Sequence, residues 1–298
     1  MKRVLRRVLL AYGFLTILPG LGRVAVEPGD TGGSTAFYPL VGLTLGALFI
    51  PFGLLGGLSD LALAIVLCVF SLFFSRALHA DGLVDTFDGF LTGKRDKGEI
   101  LRVMKDSRLG ALGFIGSLSV YLLKIALLHD ILAAGGSALS GPLAGGALEA
   151  GAGETTILTA LFPWIGAPVT NVPATYAPWR FVGRIPLILA VAPALSRGGV
   201  PFACVLFPYA GSEKGLGKSF FETVGLRQTI AAFLLMEIFC SLTGRGACLL
   251  LPPLMLLFWA GWGILCARKI GGMTGDTLGA GIELSELFSL MLIRILLS

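Results

Sequence analysis

The stretch LSDLALAIVLCVFSLFFSRALHADGLVDTFDG, residues 58–89, joins a long apolar run to three aspartates. Its apolar part, residues 59–78, has the length of about 20 residues that an α-helix needs to cross the hydrocarbon core of a bilayer. A helix satisfies its backbone hydrogen bonds internally, as a segment surrounded by lipid must. The stretch therefore predicts a membrane-spanning helix with acidic side chains at its end.

The rest of the chain has the same character. Of its 298 residues, 55% are hydrophobic and 14% are charged, and the mean hydropathy is +0.86. Soluble domains carry about 25% charged residues, so we expect one membrane-embedded domain over residues 1–298. The predicted fold class is all-α, a polytopic transmembrane helical bundle of about seven spans. The predicted spans are 35–57, 59–78, 110–131, 181–196, 228–243, 247–267 and 280–297.

Two further apolar segments do not fit a full span. Residues 199–210 are too short to cross alone, so we expect them either to re-enter the membrane or to extend a neighbouring span. Residues 1–20, MKRVLRRVLLAYGFLTILPG, begin like a signal peptide but contain no small-residue cleavage pattern. We expect them to remain as a helix that is interfacial or partly inserted.

Lys and Arg concentrate in four short segments beside the apolar runs, whereas residues 131–179 contain neither. Because positive residues favour cytoplasmic loops, the four segments are predicted to be cytoplasmic and residues 131–179 to lie outside. The same distribution accounts for the net charge of +5, so a lipid bilayer is the expected partner and no nucleic acid is expected. The four segments are residues 2–7, 94–108, 214–227 and 268–269.

The cysteines and histidines give little sign of metal or redox chemistry. The five cysteines lie in or beside apolar runs and never form a CxxC pair, so they are predicted to be small buried hydrophobes. With only His79 and His129 present, no His-rich zinc site is expected.

Asp81, Asp85 and Asp88 have the spacing 0, 4 and 7. On a helix their carboxylates fall within an arc of about 60°. Crowded carboxylates repel unless a cation bridges them, and Mg²⁺ prefers hard oxygen ligands, so the three aspartates are candidate Mg²⁺ ligands. The alternative is a solvated acidic helix end paired with downstream basic residues. His79 is a candidate proton carrier or simply an interface residue.

A second acidic element begins the last predicted span. GGMTGDTLGAGIELSE, residues 271–286, contains Asp276, Glu283 and Glu286, the last two on one helical face. The predicted topology puts this element on the same side as the first aspartates. Carboxylates from two elements that meet on one side favour metal-assisted phosphoryl transfer, with Asp276 as a further metal ligand.

Basic residues near these acids are candidates for holding phosphate. Lys105 and Arg108 flank Asp106 in MKDSRLGALG, residues 104–113, which suits a phosphate clamp. The competing interpretation is ordinary positive-inside anchoring. Further candidates for binding anionic groups of a nucleotide are Arg197, Lys214 and Lys218.

Five motifs, in this order, resemble the cobalamin synthase family, the adenosylcobinamide-GDP ribazoletransferases of late vitamin B12 biosynthesis. They cover most of the chain outside residues 131–180, which look like a non-cytoplasmic insertion. The motifs are FYPLVGLTLG (37–46), HADGLVDTFDG (79–89), MKDSRLGALG (104–113), FPYAGSEKGLGKSF (207–220) and GGMTGDTLGAGIELSE (271–286).

The resemblance implies an inner-membrane, Mg²⁺-dependent transferase with a site that faces the cytoplasm. Such an enzyme joins α-ribazole, or its 5′-phosphate, to adenosylcobinamide-GDP and releases GMP, and we expect the ribazole 5′-hydroxyl as nucleophile. The resemblance carries catalytic roles to His79, Asp81, Lys105, Asp106 and Arg108. It carries metal binding to Asp81, Asp85, Asp88 and Asp276, and the substrate-binding candidates are Arg197, Lys214, Lys218, Glu283 and Glu286.

Two departures from the family pattern concern basic residues, because Ile17 and Gly211 stand where the family usually has Arg. Two other functions remain open on sequence grounds: a CDP-alcohol-type phosphotransferase and a cation or metabolite transporter. The CDP-alcohol phosphotransferase motif has an Ala-Arg pair after its glycine, and the residues after Gly89, FLTGKRDKG, lack that pair. A transporter would be expected to carry acidic residues nearer the middle of its spans. Homo-oligomerisation is compatible with the sequence.

Overall fold

The computed structural model describes residues 2–18, 25–54, 58–140, 185–211 and 216–297. These residues are almost entirely helical, and their only β-type pairing is one isolated bridge between Tyr209 and Met273. The all-α prediction is confirmed. The helices of the first half are α1 (Lys2–Leu15), α2 (Asp30–Ser34), α3 (Tyr38–Ala47), α4 (Phe49–Leu54), α5 (Asp60–Phe74), α6 (Leu78–Leu91), α7 (Lys97–Met104) and α8 (Ala111–Ser140).

The second half continues the bundle. α3 packs against α9, and α14 packs against α6, α8 and α9, so elements far apart in sequence meet in the centre. Two short 3₁₀ turns, Thr35–Phe37 and Gly246–Leu250, join neighbouring helices. The helices of this half are α9 (Ile185–Gly198), α10 (Val200–Leu206), α11 (Leu216–Thr223), α12 (Leu226–Leu242), α13 (Leu251–Ile270) and α14 (Gly275–Leu296).

The helices confirm a polytopic membrane architecture, but not the count of seven spans. Among the described residues, 4 helices are long and apolar enough to cross a bilayer, or up to 6 if each sharply bent helix pair is one span. α14 is not among them, and its sequence includes Glu283, Glu286 and Arg294. The four are Asp30–Phe52, Ala111–Ala134, Leu189–Leu206 and Gly246–Ile270.

The predicted span 59–78 ends early in the structure, because α5 stops at Phe74. α5 and α6 meet at an angle of 92°, and the turn between them contains Arg76 and Ala77 with φ of 55° and 52°. Residues other than glycine seldom adopt this left-handed conformation. The break places the aspartates on α6, a helix separate from the apolar α5.

The segment 199–210 extends its neighbour, which was one of the two outcomes expected for it. α9 and α10 together form the candidate span Leu189–Leu206. Residues 181–184 of the predicted span and 141–180 of the predicted insertion lie outside the described residues, while residues 131–140 continue α8.

α1 has 14 residues, which is about 21 Å of helix and too short to cross a bilayer. Arg6 and Arg7 pair with the fully buried carboxylate of Asp30, at 2.5 and 3.1 Å respectively. These contacts tie α1 to the start of the first candidate span. Its interfacial location remains a prediction.

The core contains two apolar clusters. Leu67 and Leu195 belong to one and Leu83 and Trp259 to the other, and all four side chains are buried. The five cysteines are free and buried, which confirms the prediction that they are small buried hydrophobes.

Four buried charges connect α8, α9 and α14. The Lys124 ammonium lies 2.7 Å from Glu283 Oε2 and 3.0 Å from Glu286 Oε1. The Arg197 guanidinium lies 3.1 Å from Glu286 Oε2. All four side chains are less than 9% exposed, so each charge depends on its partners rather than on water.

Lys124→Met leaves Glu283 without its cation and Glu286 with only Arg197. We expect the free energy of unfolding to fall by about 3–5 kcal/mol, because breaking a buried ion pair leaves an uncompensated charge. Denaturation of the purified protein in detergent measures it. Lys94→Met, which removes an exposed pair with Glu99 at 3.6 Å, is the matched control and should cost less than about 1 kcal/mol. Equal effects of the two substitutions would contradict a structural role for Lys124.

Candidate active site

A cavity of about 330 Å³ lies among α1, α6, α7, α11 and the beginning of α14. One part of its wall is polar and the rest is apolar. The polar part is formed by His79 and Asp81 of α6, Lys105 after α7, Tyr209 after α10 and Asp276 of α14. The cavity therefore combines carboxylates, a cation and hydrogen-bonding groups from four separate segments of sequence.

The polar wall depends on a close crossing of α6 and α14. A Cβ atom on Gly82 would lie 2.7 Å from the carbonyl oxygen of Asp276, so only glycine permits this approach. The segment before α14 is fixed by two backbone hydrogen bonds: Ala210 N–H donates to Met273 O at 2.8 Å, and Met273 N–H donates to Pro208 O at 2.9 Å. These bonds place Tyr209 beside the N-terminus of α14.

That N-terminus has a regular cap. The Thr274 hydroxyl accepts the N–H of Thr277 at 3.2 Å, and the Thr277 hydroxyl accepts the N–H of Thr274 at 2.8 Å. Thr274 and Gly275 line the cavity. The first backbone N–H groups of a long helix favour an anionic ligand such as phosphate.

Three carboxylates gather at the crossing. Asp85 experiences the negative charges of Asp81, Asp276 and Asp88, and Asp276 is attracted by Lys105. Within the described part of the chain, Asp81, Asp85 and Asp276 form no ion pair with a basic side chain. Concentrated negative charge without a close counter-charge is what a bound cation would stabilise.

The geometry does not form a complete metal cage. No three His, Cys, Asp or Glu side chains of the described residues stand close enough together to hold an ion. Mg²⁺ usually takes one or two carboxylates and completes its coordination with water and substrate phosphates. The donor set of Asp81, Asp85 and Asp276 fits this open type of site.

Asp88 has a different environment from the other aspartates of α6. Its Oδ2 accepts the backbone N–H of Gly110 at 2.8 Å, and its Oδ1 accepts that of Gly113 at 2.7 Å. The side chain therefore caps the N-terminus of α8 from another helix. Metal binding by Asp88 remains a prediction, whereas these hydrogen bonds give it a positioning role.

Lys105, Asp106 and Arg108 do not act as one clamp in this structure. Lys105 lines the cavity, but Arg108 turns back to Asp106, with Nη2 and Oδ2 2.6 Å apart. Hydrogen bonds from Arg108 lower the pKa of Asp106 to about 2. The Arg108 side chain is 87% exposed.

The remaining candidates among the described residues do not line the cavity. Arg197, Glu283 and Glu286 form the buried ion cluster with Lys124 described above, and their role in substrate binding remains a prediction. Lys218, on α11, lies 3.6 Å from Glu222. Lys214 lies outside the described residues.

Tyr209, Thr274 and Lys124 were not among the predicted site residues. Lys124 gave a usable signal, because a lone lysine within an apolar span requires a buried acidic partner. Thr274 also gave one, since threonine before a helix is a typical N-cap. Tyr209 lies within the motif FPYAGSEKGLGKSF (207–220), but no feature of its own marked it as a cavity residue.

Fold and cavity together define a helical membrane protein with an acidic site suited to phosphate chemistry. The sequence pattern of cobalamin-5-phosphate synthase matches residues 7–162 and 167–294. The chain belongs to this family, which confirms the resemblance found in the sequence, and it is an enzyme, as predicted.

Individual relatives support the same family assignment. The chain is 32% identical to an adenosylcobinamide-GDP ribazoletransferase of Halalkalibacterium halodurans, over 97% of this chain and 95% of the relative. It is 31% identical to one of Syntrophobacter fumaroxidans, over 94% of each. It is 29% identical to one of Caldanaerobacter subterraneus subsp. tengcongensis, over 98% of this chain and 99% of the relative. No solved structure matches.

Asp88→Asn is expected to lower the free energy of unfolding by about 1–3 kcal/mol. Asparagine offers one acceptor oxygen and turns an NH₂ group toward a backbone donor, which leaves a buried N–H unpaired. Thermal unfolding in detergent measures the change. Asp81→Asn is the matched control. Because Asp81 is exposed, this substitution should leave the free energy of unfolding nearly unchanged. If Asp88→Asn is as stable as the control, the capping role is wrong.

Proposed function

We propose that this protein is an adenosylcobinamide-GDP ribazoletransferase that joins α-ribazole, or its 5′-phosphate, to adenosylcobinamide-GDP and releases GMP. The observation that carries the proposal is the convergence of Asp81, Asp276, Lys105 and His79 on one cavity. These residues come from the motifs that resemble the family, and they supply the groups that phosphoryl transfer needs.

In the proposed reaction, a ribose hydroxyl oxygen attacks the phosphorus attached to the cobinamide arm. The new P–O bond forms as the bond to the bridging pyrophosphate oxygen breaks, and GMP leaves with that electron pair. The hydroxyl proton passes to His79 or Asp81, the two proton acceptors that α6 contributes to the cavity. Lys105 and the first N–H groups of α14 attract the pyrophosphate.

The choice of hydroxyl differs from the one expected from the sequence. The matching family is described as a cobalamin-5-phosphate synthase, and an acceptor that already carries a 5′-phosphate has no free 5′-hydroxyl. We therefore replace the 5′-hydroxyl with another ribose hydroxyl as nucleophile.

Asp81, Asp85 and Asp276 are the carboxylates of which one or two would hold Mg²⁺, with water and substrate oxygens completing its coordination. The bound ion would neutralise charge on the pyrophosphate and on the departing GMP. The open donor set leaves coordination positions for substrate oxygens, and it is this feature that supports magnesium as the cofactor.

We also propose that the enzyme lies in the cell inner membrane with its site on the cytoplasmic side. Lys105, Gly217 and Asp276 lie in or beside three of the four basic segments, and all three line the same cavity. The positive-inside rule favours the cytoplasm for these segments.

The direct test is turnover in membranes that contain this protein. Adenosylcobinamide-GDP, α-ribazole and Mg²⁺ are supplied, and the cobalamin product and GMP are measured by chromatography. We expect both products in equal amounts, and none when Mg²⁺ is removed by chelation. GMP without a cobalamin product would indicate hydrolysis and contradict the proposal.

Asp85→Asn and Asp276→Asn should each lower kcat by at least about 100-fold, because loss of a carboxylate at the metal removes charge stabilisation in the transition state. The same turnover assay measures this, with membrane insertion checked by antibody. Asp130→Asn is the control, since Asp130 is exposed and lies about 29 Å along α8 from its N-terminus. Wild-type turnover by the Asp85 variant would refute its role.

The two other functions make different predictions. A transporter would accumulate labelled substrate inside proteoliposomes without chemical change, and a CDP-alcohol-type phosphotransferase would release CMP from a CDP-lipid. The position of the acids in a cavity at the ends of α6 and α14, rather than in mid-span, disfavours the first.

A further inference from the structure

The apolar part of the cavity wall is aromatic. Phe14 of α1, Tyr38 of α3 and Phe220 of α11 line it together. The Phe14 and Phe220 ring centroids are 5.0 Å apart, and those of Tyr38 and Phe220 are 6.4 Å apart. Tyr38 and Phe220 are buried, whereas Phe14 is 40% exposed. The cluster thus presents an accessible ring backed by two fixed ones, and such rings favour stacking with a flat ligand.

We propose that this aromatic wall binds the benzimidazole base of α-ribazole and sets the preference for the lower-ligand base. The inference rests on the proposed function, because it assigns one of that reaction's two substrates to a defined half of the cavity. The ribose would then lie toward Asp81, Asp276 and Lys105, where its hydroxyl meets the phosphorus.

Size favours the acceptor over the donor substrate. A volume of about 330 Å³ is near the lower limit of small-molecule pockets, roughly 300–1,000 Å³. A nucleoside can be enclosed in such a space, whereas a complete corrinoid nucleotide cannot. The larger substrate can place only its pyrophosphate end at the polar wall.

Polarity distinguishes the benzimidazole from the guanine of adenosylcobinamide-GDP, which is also flat. Guanine carries several donors and acceptors on its edge. The wall of Phe14, Tyr38, Val200 and Phe220 offers only the unpaired Tyr38 hydroxyl, so most of these groups would lack a partner at a cost. Benzimidazole in a nucleoside has a single unsubstituted ring nitrogen. An apolar wall therefore accepts benzimidazole with little loss of hydrogen bonding.

His79 supports a ligand at this place. It lines the cavity, it is 2% exposed, and within the described part of the chain neither of its ring nitrogens has a hydrogen-bond partner. Buried polar groups are normally paired. A ribose hydroxyl bound between the aromatic wall and the acids would supply the missing partner.

The test uses Phe14→Leu and Phe220→Leu in the membrane assay, with the KM of each substrate measured separately. We expect the KM for α-ribazole to rise roughly 3- to 10-fold, because each variant loses one aromatic contact with the base. The KM for adenosylcobinamide-GDP should stay the same. The preference for the dimethylbenzimidazole riboside over an adenine riboside should also shrink in the variants. Phe73→Leu is the matched control, because Phe73 of α5 is 71% exposed and does not line the cavity.

The opposite pattern would overturn the assignment. If the variants raise the KM for adenosylcobinamide-GDP and leave that for α-ribazole unchanged, the wall binds the donor's guanine. If neither KM changes in the Phe14 variant, the wall binds no base, although the proposed function stands.

Equilibrium dialysis of labelled α-ribazole against wild type and Phe14→Leu does not depend on turnover. We expect weaker binding by the variant. A wild type that binds α-ribazole but makes no product contradicts the proposed function alone, whereas a wild type that does not bind α-ribazole at all overturns this inference.

Discussion

The buried cluster of Lys124, Arg197, Glu283 and Glu286 is the interaction on which the rest of the structure depends. Charges at membrane depth are costly unless they meet charges of the opposite sign. Here two cations from α8 and α9 pair with two glutamates of α14. These pairs hold α14 in the centre of the bundle, although its Glu283, Glu286 and Arg294 make it more polar than the four candidate spans of the described residues. Glu283 lies seven residues, or about 10 Å of helix, from Asp276. The cluster therefore fixes the helix that carries Asp276 to the cavity.

Hydropathy alone was sufficient for the fold class, because apolar runs of span length leave the backbone few alternatives to helix. It was not sufficient for the break between α5 and α6. The left-handed residues there are Arg76 and Ala77, and neither is a residue type that is typical of turns. The run of apolar residues continues almost to the break, so its composition indicated one span. Tertiary contacts decide such a conformation, and a single sequence does not contain them in readable form.

The spacing of the aspartates was informative about geometry but not about partners. A 0, 4, 7 pattern correctly puts the three carboxylates on one side of α6, yet that side meets two different neighbours. Asp81 and Asp85 approach α14, while Asp88 reaches the N–H groups of Gly110 and Gly113. One signal for the second contact was present. α8 begins at Ala111 after Leu109 and Gly110, with no Ser, Thr, Asp or Asn immediately before it to cap its first turn, which leaves its first N–H groups open to a cap from elsewhere in the chain.

The division of the cavity into an aromatic and an acidic wall also bears on why transfer should prevail over hydrolysis. A phosphorus activated for attack by a ribose hydroxyl is equally open to water, and an enzyme that joins two substrates has to keep water away from it. The apolar residues around Phe14 and Phe220 cannot hold ordered water by hydrogen bonds, and a flat base lying on them would close that side of the site. The lower dielectric beside the carboxylates and Lys105 would at the same time strengthen their interaction with the pyrophosphate. The acceptor would then contribute to its own reaction by excluding water, which competes with it for the phosphorus.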